Sequence, residues 1–465
     1  MTITAALSAF ISACSVRALP PEVVRRTTLL VLDLAGNAVR ARHDAESTPA
    51  LAAAVAALGL ANGTARVFAD PRGYAPAGAA LMNATLAHSL DFDDTHAAAI
   101  VHPGAPVIPA ALAAAEMTGA HGADVVAGIV AGYEVALRLA LALPAGAHYD
   151  RGFHPSATCG AFGAAAAAAR IFGLGPDAVA SALGIALSQS AGSLQFLANG
   201  AWTKRFQVGW AGMAGLVAAT LARDGFKGAA DPIEGRHGFL NAYAPAPVPG
   251  RVTAGLGEIY ELMATGVKPY PSCRWGHAGI DAALAMRSEG CILPHEIESV
   301  TLGLSRAGLL LIGEPASQKA KPRNIVDGQF SGPFVIAVAL ATGTFDWESY
   351  RLLDDAGTRA LMSKISCEND PAVEAEFPRN MAGKLTIRAR GRVFERMVLT
   401  PRGEPSNFLT EAELRAKFHG LADAVLGSVS AAALADDALR LTELTDPSVL
   451  MRHAPGAETI PAAAE

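Results

Sequence analysis

Read by its hydrophobic positions, the chain falls into two regimes. Roughly the first 260 residues read as helices. Pro20, Pro21 and Glu22 open one, with Val23, Val24, Leu29, Leu30 and Leu34 following. Residues 106–118 predict a second, and a third runs from a cap at Asp124 to about Leu143, with Glu134 and Arg138 one turn apart in the favourable order. Residues 161–172 are almost all alanine, the best helix former, whose small side chain lets helices approach closely. Pro176 and Asp177 start a further helix carrying Ala180, Leu183, Ile185 and Leu187. No β-alternation stands out in this half.

The pattern changes near Pro269. Residues 299–304 alternate and are β-branched, which suits a strand. Residues 384–390 and 392–399 flank Gly391 as in a hairpin. Residues 335–341 read as a helix between them. Thr410 and Glu413 form a capping box that returns the chain to helix. The expected architecture is therefore mainly α: an all-helical domain from residues 1–265 and 405–465, interrupted by a smaller α+β domain at 266–404. The last ten residues, rich in alanine and proline, are expected to fray.

Composition sharpens this picture. The 465 residues are 51% hydrophobic and 17% charged with a net charge of −6, which excludes disorder and the basic footprint of a nucleic-acid binder. A positive mean hydropathy raises a membrane reading. The longest apolar stretch, 208–222, is 15 residues flanked by Lys204, Arg205 and Arg223, whereas a spanning helix needs about 20. A buried core extended by a subunit interface accounts for the hydropathy instead, so a homodimer is expected. The five cysteines, Cys14, Cys159, Cys273, Cys291 and Cys367, are odd in number and form no C-x-x-C. With no basic leader segment at the start, a reduced, cytoplasmic protein is the expectation.

Four polar islands interrupt the apolar chain. Between His88 and His102 stand three histidines (His88, His96, His102) and three aspartates (Asp91, Asp93, Asp94). Burying carboxylates is costly unless they are paired, so this density marks a site, suited either to metal ligation or to acid–base work. Tyr149, Asp150, Arg151, Gly152, Phe153 and His154 lead into Pro155 and Ser156, placing His154 at a helix N-terminus, where the dipole lowers an imidazole pKa. Lys204 and Arg205 suit a carboxylate or phosphate ligand. Lys268, Cys273, Arg274 and His277 cluster at the domain junction, where a buried lysine can act as a base. No phosphate-binding loop, dinucleotide fingerprint or nucleophile elbow is present.

Together these stretches resemble the MmgE/PrpD family, from Leu19 to about Phe418. The strongest pieces are His88 to Thr95, Gly152 to Pro155, and Lys268 to Arg274. The resemblance implies a homodimer without metal or organic cofactor, its small domain closing over a cleft. It implies reactions that begin with removal of a proton α to a carboxylate: dehydration of 2-methylcitrate, decarboxylation of cis-aconitate, or epimerisation of iminodisuccinate. Carried over position by position, the family's aspartate falls on Asp91 and its threonine on Thr95. Its histidines fall on His102 and His154, and its lysines on Lys204 and Lys268. The decarboxylase branch has a histidine where this chain has Cys273; His277 matches a further one.

The catalytic expectation is thus Asp91, His102, His154, Lys268 and Cys273, with Thr95, Lys204, Arg274 and His277 binding a small di- or tricarboxylate. A cysteine opposite another base suits returning a proton to the opposite face, which favours epimerisation, with dehydration as the alternative. One rival is a metal-dependent hydrolase using His88, Asp91, His96 and His102. Another is an inactive dimeric binding protein.

Overall fold

The computed structural model describes residues 1–290 and 292–453; Cys291 and the terminal residues expected to fray lie outside the described residues. The chain divides into two compact units, Met1–Gly266 with Thr410–Glu465, and Val267–Leu409. The fold is mainly α, with a small α+β part.

The first unit is built on α1 (Ile3–Ala13), α2 (Pro21–Asp44), α3 (Pro76–Ala87), α4 (Gly104–Thr118), α5 (Gly122–Ala142), α6 (Pro155–Ile171), α7 (Pro176–Leu187) and α8 (Thr203–Arg223). The helix Glu411–Leu426 packs back on α2, and Thr410 caps it through the capping box with Glu413. Helix α6 is the centre. Its residues from Pro155 to Ala169 are all buried, and it packs against α5, α4 and α8. Alanine permits this, and glycine permits more. A Cβ on Gly132 of α5 would stand 2.7 Å from the carbonyl oxygen of Gly163 on α6, and one on Gly163 would stand 2.7 Å from that of Gly132. The two backbones touch, and no side chain fits between them.

Three sequence expectations are corrected in this unit. It is not all-helical: β1 (Ala65–Val67) and β2 (Asp70–Tyr74) pair antiparallel. That hairpin escapes the alternation test because bonds to Asp70 from Arg42, Arg72 and Tyr74 hold it, rather than an apolar face. Asp124 does not cap α5. His121 holds the N-cap position, and Asp124 lies in the first turn, where a carboxylate still suits the helix dipole. Finally, the 21-residue α5 is long and apolar enough to cross a membrane by length and composition. Its most apolar 18-residue window is 94% buried within the protein, and the helix carries the buried Glu134–Arg138 pair. The guanidinium gives Nε to Glu134 at 2.8 Å and its other donors to the carbonyls of Val252, Ala254, Gly255 and Ile259. Glu134 in turn accepts from the Leu262 amide at 3.0 Å.

The second unit is a four-stranded sheet of order β4-β3-β5-β6 with helices against it. Its strands are β3 (Ile297–Leu304), β4 (Ile365–Asn369), β5 (Gly383–Ala389) and β6 (Arg392–Val398). Strand β3 runs parallel to β4 and antiparallel to β5. The β5–β6 hairpin turns through Arg390 and Gly391, both at positive φ (54° and 66°), the two-residue turn that matches strand twist. Helix α9 (His277–Ser288) packs on β5 and β6, and α10 (Gly332–Thr342) packs on α9.

Candidate active site

Three helix ends of the first unit converge on the polar island. His88 caps the C-terminus of α3, His154 is the N-cap of α6, and Lys204 lies in the first turn of α8. The loop from Ser89 to Pro103 supplies the rest. Its backbone is fixed from behind. Lys417 donates to the Phe92 carbonyl at 2.8 Å and pairs with Asp33 at 2.5 Å, and Asn37 donates to the same carbonyl. Asp94 accepts from the Gly104 amide and the Tyr133 hydroxyl, tying the loop to α4 and α5.

The centre of the cluster is Asp93, only 1% exposed. His88 Nδ1 donates to its Oδ2 at 2.8 Å, and His102 Nδ1 lies 3.4 Å from the same oxygen. Thr95 Oγ1 is also 3.4 Å from His102 Nδ1, while the His102 amide donates to Ser156 on α6. The His88 ring lies 4.7 Å from that of His102 and 6.1 Å from that of His154, centroid to centroid. Lys204 Nζ donates to Asp91 Oδ1 at 2.6 Å, and Asp91 holds a left-handed φ of 53° that aims its carboxylate there. The structure therefore brings Asp91, Thr95, His102, His154 and Lys204 into one group.

Electrostatics separate the members. Burial pushes the Asp93 carboxyl up, but His88 and His102 overcome this and hold it well below the usual range. Burial is the largest cause lowering His88, to about 4, with Lys204 and His102 adding to it against Asp93. His154 is held well below the ordinary histidine value, again first by burial, then by His88, Lys204 and His102. The lowering expected for His154 from its helix position is found, with burial as its largest cause. Burial works against the Lys204 ammonium, yet Asp91 outweighs it and raises its pKa. The site holds a carboxylate, imidazoles at His88 and His154 that resist taking a charge, and a firm cation, a set suited to binding an anion and moving one proton beside it.

The quartet proposed for a metal hydrolase does not assemble. His96 accepts from the Ala99 amide and its Nε2 faces Glu261 at 3.7 Å, while Asp91 is engaged by Lys204. The group of metal-ligand type that does form is His88, Asp93 and His102, their donor atoms within 4.8 Å of one another. Its carboxylate already bonds one imidazole and faces the other.

Two residues of the site were not singled out by sequence. Asp93 was one of six ionisable groups with no signal to rank it. Gln207 lies three residues after Lys204, hence on the same face of α8, and donates to His154 Nδ1 at 3.0 Å.

The other four expected residues open the second unit. Lys268, Cys273 and His277 are buried there, and Arg274 is half-buried. The Cys273 amide donates to the Gln329 carbonyl, His277 Nε2 donates to the Ser272 carbonyl, and Tyr270 bonds Asp281. Arg274, expected to bind substrate, is paired with Glu404.

Comparison with known proteins gives a consistent picture. The chain matches the family model for the MmgE/PrpD N-terminal domain over residues 5–250 and that for the MmgE/PrpD C-terminal domain over residues 270–441. A cis-aconitate decarboxylase-like protein, oryM, of Aspergillus oryzae is 28% identical over 404 residues, covering 82% of each chain. A cis-aconitate decarboxylase of Aspergillus terreus is 26% identical, over 84% of this chain and 83% of its own. The human cis-aconitate decarboxylase is 27% identical, over 81% and 78%.

Proposed function

Because this chain belongs to the MmgE/PrpD family, we propose that it is a lyase that releases carbon dioxide or water from a small tricarboxylate. The observation that carries the reading is the Asp93-centred histidine cluster beside the Lys204 cation, buried at three helix ends. Lys204 binds a substrate carboxylate and stabilises the negative charge that develops when a bond α to that carboxylate breaks. His102, its Nδ1 turned to the Asp93 carboxylate, presents Nε2 as the proton-transferring atom. Lys268, buried in the second unit, is the other cation that the family resemblance assigns.

The relatives named for cis-aconitate decarboxylation support lyase chemistry and make cis-aconitate the first substrate to try. The epimerase preference has no counterpart among them. It stays as a second reading for one reason, the cysteine at position 273 where the decarboxylase branch has histidine.

Incubation with cis-aconitate and with 2-methylcitrate in deuterated water, followed by NMR, tests the proposal. A decarboxylated or dehydrated alkene supports it. Deuterium entering an α-carbon of 2-methylcitrate or of iminodisuccinate, with neither carbon dioxide nor water lost, would replace it with epimerisation. A two-fold dimer burying more than ~2,000 Å² is part of the same proposal, and light scattering that finds a stable monomer contradicts that part.

A further inference from the structure

The hydrogen bonds around His154 specify where its proton sits. Which end of a glutamine side chain is oxygen is usually ambiguous, but two backbone groups settle it for Gln207. The Ser193 amide, which can only donate, lies 2.7 Å from Oε1, and the Ser193 carbonyl, which can only accept, lies 3.2 Å from Nε2. Reversing the amide would set donor against donor and acceptor against acceptor. The NH2 group of Gln207 therefore points at His154 Nδ1, 3.0 Å away, and donates to it. An imidazole that accepts at Nδ1 carries its single proton on Nε2. Protonating Nδ1 as well would face one N–H with another.

The clamp is built into the backbone. Gly192 and Ser193 hold both partners, since the His154 amide donates to the Gly192 carbonyl at 3.1 Å. Gly192 has a φ of 153°, and a Cβ there would stand 2.6 Å from Ala157 Cβ and 3.2 Å from Gln207 Oε1. Phe196 covers the ring at 5.6 Å, edge to face. Among the described residues no hydrogen bond takes up Nε2.

We propose that Gln207 is a positioning residue that fixes His154 as the neutral Nε2–H tautomer. In that form His154 donates a hydrogen bond to a substrate carboxylate or enolate oxygen and does not itself transfer the proton. Burial and the neighbouring His88, Lys204 and His102 also hold the ring uncharged. His102 has the opposite polarity. Its Nδ1 faces a carboxylate, so the lone pair lies on Nε2. One histidine stabilises charge and the other moves the proton, and the difference is set by an amide in one case and a carboxylate in the other. The assignment of these jobs rests on the lyase reading above; the tautomer does not.

The test is a side-chain proton–nitrogen correlation spectrum of the full-length protein labelled at histidine. The resonance that disappears in His154→Asn is expected to show a protonated Nε2 and a bare Nδ1. In Gln207→Glu the new carboxylate accepts at Nδ1 and inverts that pattern, and kcat on the turned-over tricarboxylate falls at least ~10²-fold. A wild-type His154 protonated at Nδ1, or a folded Gln207→Glu protein that keeps the wild-type tautomer, overturns the proposal. If Gln207→Glu does not fold, the wild-type spectrum alone decides. Failure to turn over any tricarboxylate would remove the lyase reading and leave the tautomer result standing.

Discussion

Glu134 with Arg138, and Asp93 with its histidines, are both buried ionic clusters in the same helical unit, yet they are finished differently. Arg138 directs its donors to one carboxylate and four carbonyls, and Glu134 takes a backbone amide besides. Around Asp93, by contrast, His88 Nε2 and Asp93 Oδ1 are buried with no hydrogen-bond partner. A buried polar atom without a partner costs about 1–3 kcal/mol. The saturated cluster clamps the 252–262 segment to α5. The unsaturated one leaves a ring nitrogen and a carboxylate oxygen with bonding capacity to spare. Degree of satisfaction, rather than burial or charge, separates architecture from chemistry here.

Substitutions should divide along that line. His102→Gln is expected to lower kcat by ~10²–10⁴-fold while moving the urea midpoint little, because it removes the proton-transferring nitrogen and keeps the volume. Arg138→Ala should do the reverse, costing ~3–5 kcal/mol of stability by leaving Glu134 buried without its cation. A denaturation curve showing a loss below ~1 kcal/mol would erase the contrast. Lys268→Ala should reduce kcat at least ~10²-fold, the low end for a positioned charge, with Lys268→Arg a poor rescue. Cys273→Ser should stay within a few-fold under the lyase reading. Suppressed turnover in that variant would restore epimerisation.

The mildest test is pH. His88 is lowered to about 4 in the folded protein against 6.5 for the free side chain. Between those values the unfolded chain takes a proton that the folded one refuses, so stability falls as pH drops from about 6.5 towards 4. Asp93, also held low, continues the loss further down. His88→Gln should flatten the upper part of that decline when urea midpoints are compared at pH 7 and pH 5. An unchanged slope would mean that His88 is charged in the fold.

What could be read from sequence was what is local. The Pro176 helix start, the Thr410 capping box and the turn at Gly391 are decided by neighbouring residues, and all three stand as expected. Strand β4 was missed because its Ser366–Asn369 end carries polar residues that pair with β3 from 65 positions away. Ile3–Ala13 lies in the stretch read as helical but was not marked off by itself, since its polar row, Thr4, Ser8 and Ser12, is made of small residues. At the site, the polar islands that hold Asp91, His102, His154 and Lys204 stood out in apolar surroundings, and the family resemblance picked those four from their neighbours. Gln207 was not, since its importance comes from Ser193 and His154, which only folding brings to it.

The contact of Gly132 with Gly163 has a consequence for how the enzyme can change over time. It is a fulcrum. His154 lies nine residues from Gly163 along α6, about 14 Å of stiff rod. A methyl group added at the crossing must push the helices apart, and the rod transmits that displacement to the tip, where hydrogen-bond distances are set to a few tenths of an ångström. Mutations that never touch the ligand can thus detune the chemistry. The two glycines matter through leverage as much as through packing.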